Sequence, residues 1–258
     1  MAQLDVADPQ TYGEKLAGIY DDWIVQLQDD AEEAVAFLAK LAGDTAPQPL
    51  LLELGVGTGR IALPLSASGL AVTGVDASEQ MLDRLRAKPG SDKISLVVGD
   101  FSALGDIGSF DVVFAVFNTF LSLTSQDAQV ACFASAAEQL APGGAFVLQM
   151  FVPDVARFEM AQQSGQRMEV ARAGEESLTL GMAKHDPVTQ RLWPQYGMQS
   201  DNGTTDYSVQ FRYVWPSELD LMARLAGLTL ERRMAAWDGE TFTGTSPSHV
   251  SIYRKPAA

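Results

Sequence analysis

The chain is 258 residues long and 47% hydrophobic, with 33 Asp and Glu against 18 Lys and Arg, a formal net charge of −15. That length and apolar content support one large domain with a sizeable core. The acidic balance lacks the cationic surface that phosphates require, and it excludes nucleic acid and anionic membrane as natural partners.

The N-terminal MAQLDVADPQ has no basic region followed by an apolar run, so a signal peptide is not expected. Residues 11–42 carry apolar side chains at helical spacing: Leu16, Ile19, Tyr20, Trp23, Ile24 and Leu27, then Ala34, Phe37, Leu38 and Leu41. The spacing predicts two helices ahead of the main fold, and Gly43 with Pro47-Gln-Pro49 ends them. Leu50–Leu54 is a nearly all-apolar run, the pattern of a central parallel strand covered on both faces. A turn with Gly55, Gly57 and Gly59 follows, and Ile61–Ala67 opens a helix. Strands are predicted over 71–76, 94–100 and 111–117, and helices over 78–88 and 125–140 with Ser78 and Ser125 as N-caps. Cys132, the only cysteine, falls on the second of these helices as a buried thiol, which excludes an intrachain disulfide and a cysteine-based zinc cluster. Pro142-Gly143-Gly144 turns into a fifth strand over 145–151. Strands alternating with helices in this way imply a parallel sheet with right-handed crossovers.

The pattern then changes. Residues 166–214 read as an antiparallel meander of about four strands, with turn signals at Ala173-Gly174, Asp186-Pro187 and Asp201-Asn202-Gly203. A helix over 216–228 follows, started by Pro216 or Ser217 and closed by Gly227. The last two strands are joined by a loop too short for a helical crossover, so they pair antiparallel. No apolar run is long enough to span a bilayer, and a cytoplasmic location is the default expectation.

Chemistry concentrates at the strand ends. Glycines in the first turn permit tight backbone dihedrals and close approach of a ligand to the main chain. Asp76 ends the second strand, where a carboxylate accepts hydrogen bonds from both hydroxyls of a ribose. Asp100 ends the third strand, where an adenine amine would lie. Nicotinamide enzymes share the first two features, but their third glycine comes three residues after the second; here Gly59 comes two after Gly57, and Arg60 follows. Glu53 stands just before the turn, and an acid there suits a cationic ligand better than a pyrophosphate.

The run Glu53-Leu-Gly-Val-Gly-Thr-Gly59-Arg resembles the first motif of class I S-adenosylmethionine-dependent methyltransferases. Gly74-Val-Asp76-Ala-Ser-Glu-Gln-Met81 resembles their second motif, Gly99-Asp100-Phe101 their third, and the segment from Phe110 to Thr119 their fourth. Leu140-Ala-Pro142-Gly143-Gly144 resembles the turn before their fifth strand, and the closing antiparallel pair is that fold's usual ending. The resemblance covers residues 43–153 and 216–254 and is closest to small-molecule members such as amino-sugar N-methyltransferases. It implies a single domain over 1–258: a doubly wound, seven-stranded, Rossmann-like sheet with its last strand antiparallel. An N-terminal helical lid would occupy 10–42, the core 43–153 and 216–258, and the inserted antiparallel meander 166–214.

The resemblance also implies a cofactor, S-adenosylmethionine, leaving as S-adenosylhomocysteine. Gly55, Gly57 and Gly59, with Glu53 and Arg60, would form its methionyl bed; Asp76 and Ala77 would hold the ribose. Met81, Gly99, Asp100 and Phe101 would flank the adenine, and Phe117 and Asn118 would line the methionyl side. Tyr20, in Ile19-Tyr20-Asp21, resembles the tyrosine by which small-molecule members reach the cofactor; its other reading is a core aromatic on an amphipathic helix.

The acceptor would be a small molecule methylated on nitrogen or oxygen, in secondary metabolism, because an Asn-Pro-Pro-Tyr type fourth motif is absent and the charge is acidic. Tyr12 and Trp23 in the lid, and Trp193, Tyr196, Arg212 and Tyr213 in the meander, combine apolar faces with polar tips suited to an acceptor pocket. The same strand residues could instead pack a sheet face or form a homodimer surface. Methyl transfer needs positioning above all. If the acceptor must lose a proton, His185 is the candidate base, with a structural role as its other reading. Neither the carboxylates nor the histidines have metal-ligand spacing, so no metal is expected. Two rivals stay open: a relative that binds the cofactor but cyclises or cleaves it, or serves as a non-catalytic subunit, and a nicotinamide-dependent oxidoreductase.

Overall fold

The structure is a computed structural model and describes residues 13–14, 16–24, 30–173, 176–200 and 203–257. A π-helical turn, Tyr20–Ile24, and helix α1 (Ala31–Thr45) precede the sheet. The core then alternates as the sequence predicts: β1 (Leu50–Leu54), α2 (Ala62–Ala67), β2 (Ala71–Asp76), α3 (Glu79–Arg86), β3 (Ser95–Val98), β4 (Phe110–Ala115), α4 (Gln126–Gln139) and β5 (Leu140–Phe151). Ser78 and Ser125 cap α3 and α4, accepting from the backbone N–H groups of Met81 and Ala128.

After β5 come α5 (Val155–Ser164) and an antiparallel group, β6 (Met168–Ala173), β7 (Glu176–Asp186), β8 (Arg191–Ser200), β9 (Gly203–Ser208) and β10 (Phe211–Arg212). Helix α6 (Pro216–Leu225) and strands β11 (Thr229–Met234) and β12 (Ser248–Arg254) complete the chain.

The main sheet has the order β11-β12-β5-β4-β1-β2-β3. Strands β1 to β5 are mutually parallel. Strand β12 inserts antiparallel beside β5, and β11 pairs antiparallel with β12. The last strand therefore alone opposes the rest: a connection without a helix can only return the chain beside its own neighbour. One face of the sheet is packed by α4 and α6, where Phe133 meets Phe120, Phe146 and Tyr253 edge to face at 5.2–5.6 Å. The other face, with Leu51, Phe114 and Val147, is covered by α1, α2 and α3. Both faces being buried explains why these strands are apolar without alternation. Among the described residues no helix is long and apolar enough to cross a membrane.

Four details differ from the sequence reading. Helix α5 has no predicted counterpart: none of its residues is buried, so no apolar stripe marks it, although Asp154 caps it on the Arg157 N–H at 3.0 Å. The fourth strand stops at Ala115, because Phe117 and Asn118 take positive φ values of 54° and 64° that no strand accommodates. The Pro142-Gly143-Gly144 turn lies inside β5 as an irregularity, Leu140 pairing with Phe110 and Ala145 with Val112. The meander has five strands, because the chain leaves the sheet at Val209 and Gln210 between β9 and β10.

A buried charge ties the second sheet to the core. The Arg212 guanidinium donates to Glu218 on α6 and to Gln190, both at 2.7 Å, and also to Gln129 on α4. Burial alone would raise the Glu218 carboxyl, but hydrogen bonds from Arg212, Gln190 and Gln126 outweigh it and hold the group below its usual range. Arg212→Ala leaves the partly buried Glu218 without its cation. The expected cost is about 1.5–3 kcal/mol in urea unfolding. A lowered carboxylate contributes stability above its unfolded value and loses it as pH falls. The difference between wild type and variant therefore shrinks below about pH 4; a difference independent of pH would remove the ion pair from this role.

Candidate functional site

The site is built at the carboxyl ends of β1, β2 and β4. The turn after β1 holds Gly55, Gly57 and Gly59, all at positive φ. The N–H groups of Gly55 and Val56 donate to the Val75 carbonyl at 2.8 and 2.9 Å, folding the turn back over β2. A Cβ on Gly55 would meet the Thr119 methyl at 2.2 Å, and one on Gly59 would meet Leu85 at 2.2 Å, so both glycines are required by packing. Gly57 differs: a Cβ there would meet nothing within 4 Å, and its bare backbone borders the cleft.

Asp76, at the end of β2, accepts from the Gly57 N–H at 2.8 Å with one oxygen and from the Ser78 N–H at 2.9 Å with the other. It braces the glycine turn and lines the cleft. Burial raises its carboxyl above the usual range, and the Ser78, Gly57 and Ala77 amides oppose that shift. Glu53, on β1 behind the turn, is 3% exposed. Burial raises its carboxyl well above the usual range; the Ala62 N–H offsets part of this, while Oε2 has no hydrogen-bond partner among the described residues.

Tyr20 closes the cleft from the N-terminal side and packs with Tyr196 around Leu178 of the second sheet. Burial pushes its phenol up to about 12, so it is a proton donor at neutral pH. The neighbouring Asp21 pins this π-turn to the glycine turn, accepting from the Thr58 hydroxyl at 2.6 Å and from Lys88 Nζ at 2.9 Å.

The far wall is Phe117 and Asn118, consecutive residues in left-handed conformation. Such strain persists only where surrounding structure fixes it. The Phe117 N–H donates to Gln149 Oε1 at 3.0 Å, the Asn118 N–H to the Gln149 carbonyl at 3.2 Å, and the Phe151 N–H to Asn118 Oδ1 at 2.8 Å. Gln149 Nε2 donates to Asp30, Asp30 accepts from Arg60 at 3.3 Å, and the Arg60 guanidinium lies 3.6 Å from the Phe117 ring centroid. The four side chains close a ring around the strained turn.

The fold thus brings Tyr20, Gly55, Gly57, Asp76, Ala77, Met81, Phe101, Phe117 and Asn118 to one cleft, with Glu53, Gly59 and Arg60 behind it. Gly99 instead donates its N–H to the Asp76 carbonyl, and Asp100 is exposed with Oδ1 accepting from the Ser102 N–H; neither lines the cleft. Sequence reasoning passed over Thr119 and Phe211, which line the cleft, and Asp30 and Gln149, which support it. Only Thr119 carried a signal, as the last residue of the fourth motif; the others arrive by tertiary contact.

Of the predicted acceptor residues, Tyr12 and the side chain of Trp23 lie outside the described residues. Trp193 is buried with Lys184 Nζ 4.5 Å from its ring centroid, and Arg212 is held by the ion pair described above. Tyr213 is buried with its hydroxyl 3.4 Å from His185 Nε2. His185 is itself buried, its ring edge to face with Phe158 at 5.5 Å. None of these four lines the cleft.

Residues 51–144 match the family described as a methyltransferase domain. The chain is 38% identical to the CcbJ methyltransferase from Streptomyces caelestis, covering 98% of this chain and 100% of that one with a TM-score of 0.84. It is 29% identical over 253 residues to a cypemycin N-terminal methyltransferase from Streptomyces, covering 97% of this chain and 100% of the relative. CalS10, an amino pentose methyltransferase from Micromonospora echinaspora solved with S-adenosylmethionine bound, shares the fold at 19% identity and a TM-score of 0.69, covering 92% of this chain and 96% of that one.

Gln149→Leu removes the acceptor of the Phe117 N–H and the partner of Asp30 together. It is expected to lower stability by about 1–3 kcal/mol, the scale of unsatisfied buried groups. Hydrogen exchange should accelerate at Phe117 and Asn118 while the amides of β1 stay protected. Unchanged exchange at those two amides would show that the strained turn holds itself.

Proposed function

The chain belongs to the S-adenosylmethionine-dependent methyltransferase family, and from that premise we propose that it methylates a nitrogen or oxygen of a small-molecule acceptor in secondary metabolism. The similarity to proteins named as N-terminal and amino pentose methyltransferases favours nitrogen. The lone buried thiol suits a reducing cytoplasm.

The observation that carries the cofactor assignment is Glu53, a buried carboxylate with an unpartnered oxygen at the base of a glycine turn. A buried acid of that kind ionises when a cation is brought beside it. The amino-acid end of S-adenosylmethionine carries an ammonium. Open space at Gly57 admits a ligand close to the backbone, and Asp76 offers acceptor oxygens to ribose hydroxyls beside its amide bonds. Met81 and Phe101 provide apolar walls for a base, and Tyr20 a protonated phenol.

When bound, S-adenosylmethionine supplies a methyl group on a sulfonium, a good leaving group. The protein's part is positioning and exclusion of water. Tyr20 and the π-turn cover one side, while Phe117 and Asn118 fix the other. An aromatic face beside a cation is attractive in its own right. In this reading an amine attacks as the free base and His185, packed behind Phe158, supports the second sheet.

Calorimetry with S-adenosylhomocysteine tests the assignment: one site per chain at micromolar affinity or tighter is expected, and no binding by folded protein would sink it. Product analysis with labelled methyl groups then separates transfer to an acceptor from cyclisation or cleavage of the cofactor.

Glu53 gives a pH test. Its raised carboxyl favours the protonated free protein, so the stability linked to it is present at low pH and lost as pH rises through the raised value. A bound ammonium favours the ionised form, so binding releases a proton and tightens with rising pH. Glu53→Gln should weaken S-adenosylhomocysteine about tenfold or more at pH 8, raise the melting temperature of the free protein there, and abolish the proton release. Calorimetry in buffers of different ionisation enthalpy reads all but the melting temperature. Equal proton release in wild type and variant would place the titrating group elsewhere.

A further inference from the structure

Beside the cleft runs a second concavity of about 950 Å³, walled by α5, by β6 and β7, and by the loop 244–247. Its volume is at the upper end of the small-molecule range, roughly 300–1,000 Å³. The larger apolar side chains of its walls are Phe151, Phe158, Met160, Met168, Leu180 and Met182. Met160 is 67% exposed and Met168 56% exposed, large apolar side chains left toward solvent along one groove. Apolar side chains lining a concavity of this volume are the usual make-up of a small-molecule site. Methionines in particular adapt to the shape of what they contact.

Several polar side chains of the groove are engaged by the protein itself, while Arg157 and Gln166 also line it. Asp154 caps α5, the Ser164 hydroxyl donates to the Ala161 carbonyl, and the Ser246 hydroxyl accepts from the Thr243 N–H. An apolar ligand leaves those three bonds intact.

The groove and the cleft share a wall. Phe151 closes one end of the groove, and its N–H donates to Asn118 Oδ1, the residue that lines the cleft. Both concavities lie beyond the carboxyl ends of the strands, where doubly wound sheets bind ligands.

We propose that this groove is the acceptor subsite and that it takes the apolar, extended body of an amine whose nitrogen is presented at the Phe151–Asn118 end. The assignment rests on the methyltransferase reading and narrows its acceptor to amphipathic amines with alkyl or aryl bodies. The second sheet's Trp193, Tyr196, Arg212 and Tyr213 support the groove and its surroundings without lining it. The three methionines, from α5, β6 and β7, make the selective surface.

The test is calorimetric titration of the full chain with hexylamine, octylamine, decylamine and glucosamine, with and without S-adenosylhomocysteine. Affinity should rise roughly fourfold per added methylene, the step that complete burial of each CH2 gives, and glucosamine should bind at least a hundredfold more weakly than decylamine. Met160→Gln combined with Met168→Gln, two exposed positions, should weaken decylamine at least tenfold while leaving S-adenosylhomocysteine affinity unchanged. Affinity flat with chain length, equal binding of glucosamine, or an undiminished decylamine titration in the double variant would each overturn the groove. Failure of S-adenosylhomocysteine to bind the wild type would overturn the cofactor reading instead, and the alkylamine series would still decide the groove.

Discussion

Everything at this site depends on how the chain leaves β1. The strand is buried on both faces and ends in a turn whose backbone must reverse within van der Waals contact of β2 and of Thr119. Only residues without a side chain fit at Gly55 and Gly59, and only a carboxylate at the end of β2 reaches the Gly57 N–H. The same Asp76 therefore fixes the turn and borders the cleft. The second carboxylate, Glu53, lies behind the turn with an oxygen unsatisfied. A buried acid and a half-buried one around a glycine backbone make a site that favours positive charge, and that polarity separates it from phosphate-binding turns of otherwise similar shape.

The opposite wall is held by a different device. Phe117 and Asn118 occupy conformations that a chain avoids when left to itself, and they do so because Gln149, Asp30 and Arg60 converge on them from β5, from the entry to α1 and from the glycine turn. Arg60 is the joint between the two walls: it follows Gly59 in sequence and stacks on Phe117 in space. Tyr20 and Asp21, pinned to Thr58 and Lys88, add a further N-terminal contact to the same turn. The N-terminal segment is part of the site's architecture as well as its cover.

The second sheet has two separate jobs. Its inner residues join the layers: Arg212 is anchored to α4 and α6, Tyr213 and His185 pack at an angle against Phe158, and Tyr196 packs on Leu178 beside Tyr20. Its edge, β6 and β7, turns methionines and Leu180 toward α5. Aromatic side chains with polar tips are suited to ligand pockets and equally suited to joining two layers. Here the joining role claims Arg212 and Tyr213, and the large apolar side chains of the groove are methionines, phenylalanines and Leu180.

Sequence alone determined the core alternation, because strands buried on both faces must be uniformly apolar and helix starts need caps such as Ser78 and Ser125. The glycine turn, Glu53, Asp76 and Phe117 were legible in the sequence too, because each is marked by its position at a strand end. What it did not carry was every relation between distant segments. Asp30 and Gln149 are 119 positions apart and ordinary in their own surroundings; only the fold makes them neighbours. Helix α5 has no buried stripe to announce it, and the groove it walls exists only once β6, β7 and the loop 244–247 are set beside it. Asp100, legible as a ligand from its place after β3, turns its oxygen to its own backbone. Periodicity and strand-end chemistry are local and are written residue by residue, whereas a pocket is a surface between segments, and its shape is decided only by their packing.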